Sequence, residues 1–514
     1  MADRALQVML PKVLGLGIAA LILGSAAMLG LRAESWALRP ADWAAVRFTL
    51  LQAALSAVLS LGLAVPLARA LFRRRFVGRS ALIRLLAAPF VLPVVVAVLG
   101  IATVFGRTGP INAVLETFHL PAVSIFGLQG VVLANVFFNL PLATRMLLHG
   151  WQAIPVERFR LAASLGMPPS AQLRHLELPM LRSQAPAIAL VIFLICLASF
   201  AIALTLGGGP RASTIELAIY QALRFEFDLG RAALLALVQL LICAAGTLMA
   251  SRLTLPPSFG AGLGRSLDLP APRGWRRRGD ALLILTVVLF LALPLLAVAA
   301  KGLPGLLALP SGVWPAALRS VSVALASALL AVLAALVLAL AQARRATGWL
   351  ELAAMLPLAA SSLVLGTGLF LMLRPFVAPQ ALALPVTMLV NASLTLPYLY
   401  RLLLPEARAL QNDYDRLASS LGLRGLARLR YLTLPRLARP LGYGAGLAAA
   451  LSMGDLGVIA LFAGNSGATL PLFVQQLMGA YRMDQAAAAA LVLVDLSYAL
   501  FWVFDRIGHH YADT

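Results

Sequence analysis

Lysine is almost missing from this sequence. Its two lysines, Lys12 and Lys301, are followed by Val13 and Gly302. The phosphate-cradling G-x-x-x-x-G-K-[ST] loop of a nucleotide engine therefore cannot be written anywhere in the chain. Cysteine is equally scarce: Cys196 and Cys243 each lie inside an apolar run and read as small buried hydrophobes rather than a disulfide framework. Charged residues make up 12% of the chain against 61% hydrophobic ones, where a soluble domain has about a quarter charged and half apolar. Clustered His/Cys and the paired carboxylates of metal-assisted hydrolysis are also missing. The adjacent His509 and His510 stand at the tail, where a solvated terminus explains them. The sequence offers no catalytic residues, no metal site and no bound cofactor.

What the chain does have is long apolar runs, with a mean hydropathy of +0.91 over 514 residues. Runs such as 13–31, 282–300 and 324–341 match the length needed to cross a hydrocarbon core of about 30 Å. Twelve are found, near 13–32, 47–68, 84–106, 128–148, 186–206, 231–251, 281–300, 320–341, 352–373, 384–404, 441–462 and 485–505. The expected fold is all-α and polytopic, with the lipid bilayer as its surroundings. The first run is longer than the apolar part of a signal peptide and is followed by Trp36 and Trp43 at interfacial positions. It reads as an uncleaved first span.

The formal charge of +21 raises nucleic acid as a partner. The basic residues come in short bursts between apolar runs, as in "RALFRRRFVGRS" (69–80), without interleaved aromatics that could stack bases. With the N-terminus inside, thirty of the 41 Lys and Arg fall on one side and eleven on the other. That is positive-inside sorting. It excludes nucleic acid and places both termini in the cytoplasm of a multi-pass inner-membrane protein.

The chain also repeats itself. At an offset of 256, "VVLANVFFNLPLATRMLLHG" (131–150) overlies "TMLVNASLTLPYLYRLLLPE" (387–406), so that Asn135 meets Asn391 and Arg145 meets Arg401. The register continues through "LAASLGMPPSAQLRHLELP" (161–179) over "LASSLGLRGLARLRYLTLP" (417–435). Two six-span halves share one orientation, a parallel repeat about an axis normal to the membrane. The first domain is read as 1–255 and the second as 280–514, joined by a polar cytoplasmic linker at 256–279.

Each half carries a long loop after its fourth span, at 157–182 and 413–437. A short helix (158–165, 414–421) ends at Gly166 or Gly422, where a chain-reversing cap costs least. A second short amphipathic segment (170–176, 426–432) is expected to end at Leu178-Pro179 or Leu434-Pro435. The Gly-to-Pro spacing is 13 in both. Two short helices hinged at a glycine and presented to the cytosol form a knob that another protein can grip.

This pattern resembles the EAA loop of binding-protein-dependent ABC importers: Glu-Ala-Ala, three residues, Gly, then Leu-Pro about a dozen residues on. Ala162 and Ala418 match the second Ala, Gly166 and Gly422 the Gly, and Leu178-Pro179 and Leu434-Pro435 the Leu-Pro. Arg160-Leu161 and Arg416-Leu417 depart from the expected Glu-Ala. More narrowly, "RALFRRRFVGR" (69–79), "GLQGVVLANVFFNLP" (127–141), "SFAIALTLGGGPRASTIELAIYQALRFEFD" (199–228) and "SMGDLGVIALF" (452–462) are similar to the fused permeases of bacterial thiamine ABC transporters. The resemblance implies the type I ABC importer permease fold, with the two loops as coupling helices. It further implies two separate ABC ATPase subunits that hold ATP and Mg, a periplasmic thiamine-binding protein, and one chain supplying both transmembrane domains. Ferric-iron permeases, also fused doubles, are the competing relatives.

Among polar residues in the spans, Asp455 is an ionisable group at membrane depth, read as a gate or path residue that favours cationic cargo or as a helix-end carboxylate. Asn135 and Asn391 are candidate path residues, though interhelical hydrogen bonds explain them better. Glu216, Gln221 and Gln476 lie in segments expected to face the periplasm and contact the binding protein. An ion-coupled secondary transporter is the rival from another class. It would need buried coupling-ion residues, for which Asp455 and Asp495 are the candidates, and it leaves the duplicated loop unexplained.

Overall fold

The computed structural model describes residues 2–513 except 35, 75, 87–88, 90, 208, 210–211, 254–274 and 465–466. Most of the proposed linker lies outside the described residues. In the first half run α1 (Ala2–Arg32), α2 (Pro40–Arg73), α3 (Arg79–Leu85), α4 (Val94–Phe105), α5 (Pro110–Thr117), α6 (Leu128–Ala153), α7 (Val156–Ser164), α8 (Pro169–Gln172), α9 (Leu178–Leu197), α10 (Phe200–Leu206), α11 (Ile215–Gln221) and α12 (Leu229–Ser251). The second half has α13 (Trp275–Gly305), α14 (Val313–Arg344), α15 (Gly348–Met355), α16 (Ser362–Leu373), α17 (Ala383–Ser420), α18 (Gly425–Arg428), α19 (Leu434–Met453), α20 (Gly457–Phe462), α21 (Leu470–Gly479) and α22 (Met483–Asp513). Among the described residues, eleven helices are long and apolar enough to cross a membrane. The pair 348–359 and 362–373, bent by 97°, makes up to twelve.

The order of elements repeats, and so do the bonds that fix it. Asn135 on α6 donates to Gln52 Oε1 on α2 (2.8 Å), and Gln52 Nε2 donates to the carbonyl of Cys196 on α9 (2.8 Å). In the second half Asn391 on α17 donates to Ser452 Oγ on α19 (3.0 Å), which donates to Ser327 Oγ on α14 (3.2 Å). Each triad of spans is tied together by a buried polar relay, which lipid cannot replace. The short helices α11 and α21 are pinned alike: Ile215 N donates to Thr49 Oγ1 (2.9 Å) and Leu470 N to Ser320 Oγ (2.8 Å).

The first helix of each half also reaches across to the other half. α1 packs against α16 of the second half, and α13 against α4 of the first. Gly368 of α16 lies against Ser25 of α1, and Gly100 of α4 against Pro294 of α13. Small residues at these crossings let backbones approach closely, which is how spans associate where no hydrophobic drive separates helix from lipid. An equally tight crossing joins α19 and α22. A Cβ on Gly442 would sit 2.5 Å from the Phe504 carbonyl and 2.6 Å from the Gly508 Cα, both backbone atoms. Gly442→Leu is therefore expected to lower stability by about 1–3 kcal/mol, the usual cost of overpacking. Thermal denaturation of the detergent-solubilised protein checks this.

Four expected spans turn out to be broken. The run near 352–373 is the bent pair α15–α16, and the run near 84–106 holds parts of two separate helices, α3 and α4. The runs near 186–206 and 441–462 break at Ala198–Ser199 and Gly454–Leu456, leaving α10 and α20 as separate short helices. Irregular backbone at this depth is tolerated where it is enclosed by protein, and Phe200, Ile202, Val458 and Ile459 are all buried. Continuous apolar composition hides such breaks.

Candidate functional site

Each long loop folds as a compact hairpin. α7 ends in a turn where Met167 N donates to the Ala162 carbonyl (2.9 Å) and Gly166 N to that of Ala163 (3.1 Å). The counterpart turn has Leu423 N on Ala418 (2.9 Å) and Gly422 N on Ser419 (3.2 Å). This is a Schellman cap, whose reversing residue must be left-handed. Gly166 and Gly422 supply it with φ of +65° and +66°. Ala162 and Ala418 are buried beneath the turn, so they seat the hairpin rather than face outward.

Two sequence expectations need correction here. The segment 414–421 is not a separate helix but the last two turns of the 38-residue α17. In the first half Pro155 forces Ile154 into an extended conformation (ψ 123°) and cuts α6 from α7. Gln411 occupies the equivalent position in the second half, and the helix runs on. Nor does the second segment end at Leu-Pro. A π-helical turn, Leu173–Glu177 or Leu429–Thr433, leads into α9 or α19. Pro179 and Pro435 sit in the first turn of those spans, where a missing N–H costs nothing.

Both hairpins project from one end of the bundle. Arg69 near the end of α2 pairs with Glu177 through two bonds (2.6 and 3.0 Å). At the same end, Arg73 and Arg74 reach Asp280 at the start of α13 (3.5 and 3.1 Å). From there α13 crosses and α14 returns, bringing Arg344 beside Arg428 of the second hairpin. The outer surfaces of the hairpins are apolar in a region of water-facing arginines: Leu161, Leu165, Leu417, Leu421, Leu426 and Tyr431 are all exposed. Leu161 and Leu165 lie at i, i+4 on one helix face, as do Leu417 and Leu421 at the equivalent positions.

The two hairpins are braced differently, which composition did not reveal. Glu177, buried just before Leu178-Pro179, accepts from Arg69 and from the Trp151 indole N–H (3.2 Å). Its counterpart is Thr433, and the second hairpin is held instead by Arg428 donating to Asp415 (2.7 Å) and Gln411 (3.0 Å). Removing Glu177 strands a guanidinium whose side chain is only 21% exposed. Glu177→Ala is expected to cost about 2–3 kcal/mol, the lower end for a broken buried pair because Arg69 keeps some water. Thr433→Ala, which loses one weak bond to the Arg428 carbonyl (3.3 Å), should cost about 1 kcal/mol or less. Unfolding midpoints of the two variants make the comparison.

The intramembrane candidates separate into two groups. Asn135 and Asn391 spend their amides on the relays between helices. Asp455 lies at the α19–α20 break, with Oδ1 accepting from Gly457 N (3.3 Å) and Oδ2 buried without a partner. Gly454 beside it abuts Pro93 at the start of α4, and Gly457 abuts Ser362 at the start of α16. Asp455 therefore stands where the broken spans of both halves begin. Gln221, the last residue of α11, and Gln476, in the last two turns of α21, are both exposed. Glu216 does not belong with them. It is 1% exposed and cannot touch a soluble protein in this conformation, because α11 turns its first residues inward after the Thr214 cap.

No family model matches the chain. Whole-length relatives do. The thiamine transport system permease protein ThiP of Salmonella typhimurium strain LT2 is 43% identical over 484 residues, which cover 92% of this chain and 90% of the relative. The chain belongs to the thiamine transport permease family. The ThiP proteins of Brucella abortus strain 2308 (40% over 477 residues, 90% of this chain and 87% of the relative) and Haemophilus influenzae (34% over 470 residues, 89% and 87%) agree with it. The molybdenum transport system permease protein ModB of Azotobacter vinelandii is 29% identical over 178 residues, 78% of its own length but 35% of this permease. That match fits a type I ABC permease built from two joined units.

Proposed function

We propose that this permease is the membrane subunit of an ABC importer that carries thiamine, or its phosphates, inward across the bacterial inner membrane. Its termini lie in the cytoplasm, residues 1–255 and 280–514 form its two transmembrane domains, and one chain serves one transporter. ATP and Mg are held by two separate ATPase subunits, each seated on one hairpin. A periplasmic thiamine-binding protein docks on the opposite end, with Gln221 and Gln476 among its contacts. ATPase closure draws the hairpins together and tilts the spans that carry them, opening the bundle outward; hydrolysis returns it. Such a motor can act only through a difference in binding between the two states.

The observation that carries this reading is the pair of glycine-hinged hairpins with exposed leucines at matching positions on one face of a chain that lacks a phosphate loop. Whole-length similarity to thiamine permeases supports the cargo. Radiolabelled thiamine uptake in a strain lacking the gene tests it: uptake should fall to background and return with the gene on a plasmid. Unchanged uptake refutes the cargo, and failure to recover an ABC ATPase with the purified permease refutes the motor.

A further inference from the structure

Glu216 is a charged group buried among apolar neighbours. Among the described residues, neither oxygen of its carboxyl group finds a hydrogen-bond partner. The Ser361 side chain, at the start of α16, lies beside it, and Asp455 is close enough to feel its charge. Asp455 in turn has Oδ2 unpartnered, with the Asn391 side chain nearby. Two acids, one from each half, thus meet around the starts of the broken spans, and among the described residues no basic one is bonded to either. A buried acid normally carries a partner, because leaving one unsatisfied costs several kcal/mol. Within a membrane protein such groups mark pathways and face a partner or a cavity.

The arrangement is also one-sided. By the repeat, Pro471 stands at the position of Glu216 and Ser199 at that of Asp455. Packing alone would have been served by the same residues in both halves, since α11 and α21 are pinned by equivalent bonds. The acids therefore meet a need that the symmetric frame does not have. The helix starts beside them offer backbone N–H dipoles that make a carboxyl group tolerable while no cation is present, as Gly457 N does for Asp455.

We infer that Glu216 and Asp455, with Ser361 at the start of α16, form a transit station for the positively charged ring of the cargo as the two halves part. This inference rests on the cargo reading above and deepens it. The thiazolium of thiamine carries a fixed charge without an N–H donor, so it is recognised by nearby negative charge rather than by a hydrogen bond. Two carboxyl groups contributed by opposite halves can close on such a ring from both sides and separate when the halves move.

The test uses the complete transporter, with ATPase subunits and binding protein, in proteoliposomes supplied with ATP. Uptake of thiamine is compared with uptake of its neutral isostere, in which a thiophene replaces the thiazolium. Glu216→Gln keeps the shape and removes the charge, and should lower the ratio of thiamine to neutral uptake by about tenfold or more. Asp455→Asn should do the same, and Glu216→Asp should restore most of the ratio. A ratio unchanged within about twofold in both Glu216→Gln and Asp455→Asn overturns the inference, whatever happens to the absolute rates. Variants that carry neither solute count against it too, because a charge filter leaves the neutral route open. An unmodified transporter that moves no thiamine overturns the cargo reading itself, and that outcome is distinct from an altered ratio.

Discussion

A permease carrying Leu165→Glu and Leu421→Glu together is expected to insert normally and to lose its ATPase subunits. The two side chains are 68% and 65% exposed and occupy equivalent places on the two hairpins. Nothing in the fold depends on them, so stability should hardly change. Each projects from the C-terminal end of its helix into a region where arginine predominates, and an isolated apolar patch in such surroundings marks a contact surface. Truncating a central apolar anchor of an interface costs about 2 kcal/mol, and burying a carboxylate there costs more. One substitution should weaken the subunit on its own hairpin about thirtyfold and leave the other bound, so recovery falls by about half, whereas the pair should weaken both subunits about thirtyfold, since each hairpin holds its own subunit. Leu307→Glu, on the short turn between α13 and α14 and therefore at the other end of the bundle, serves as the control and should leave recovery unaltered. Quantitative co-purification at fixed salt provides the measurement. Full recovery with the double variant would mean that the hairpins are not the docking surface.

The hinge glycines predict a different failure. Gly166→Val with Gly422→Val should leave the ATPase bound but cut thiamine uptake by at least tenfold. No atom stands within 4 Å of a Cβ placed on either glycine, so the substitution meets no steric wall. The obstacle is conformational: at φ of +65° and +66° a β-branched residue costs about 2 kcal/mol or more. Relief means unwinding the turn and giving up its two backbone bonds. The exposed leucines then no longer point from a rigid hairpin, and the stroke of the motor is absorbed before it reaches the spans. Asn tolerates the left-handed region, so Gly166→Asn with Gly422→Asn should retain most of the uptake. ATP hydrolysis and thiamine uptake measured on the same vesicles separate loss of coupling from loss of binding. Equal uptake by the Val and Asn pairs would remove the hinge from the mechanism.

The sequence made some of these features legible and hid others. A repeat at constant offset, sorted basic residues and span-length runs gave the helical bundle and its two halves, because length and charge are set by the membrane itself. Gly166 and Gly422 could be placed because only a reversing cap demands glycine there. The fusion of the second hairpin's first helix into α17 was present in the text, as Gln411 where the first half has Pro155, but the repeat drew attention to likeness rather than difference. The broken spans could not be read, since an apolar run looks the same whether it crosses the membrane or folds back inside it. Glu216 was misjudged for a related reason. An acid in "STIELAIYQ" reads as a surface residue of a short helix, and only the packing of α11 against α16 shows that the helix is enclosed. The brace at Glu177 leaves no mark in the sequence, because its partners Arg69 and Trp151 are remote in the chain.

The reach of the first helices across the two halves bears on how the protein is made. α1 leaves the ribosome well before α16, its seat, which lies more than three hundred residues downstream. At about 5–20 residues per second, the nascent chain holds that helix in lipid for tens of seconds before its partner arrives. The first half on its own would therefore present an unfilled flank to the quality-control proteases of the membrane, as would the second half synthesised alone. Genetic fusion of the two units guarantees that each flank finds its own occupant at a one-to-one ratio, a guarantee that two independently expressed polypeptides would have to obtain from matched synthesis.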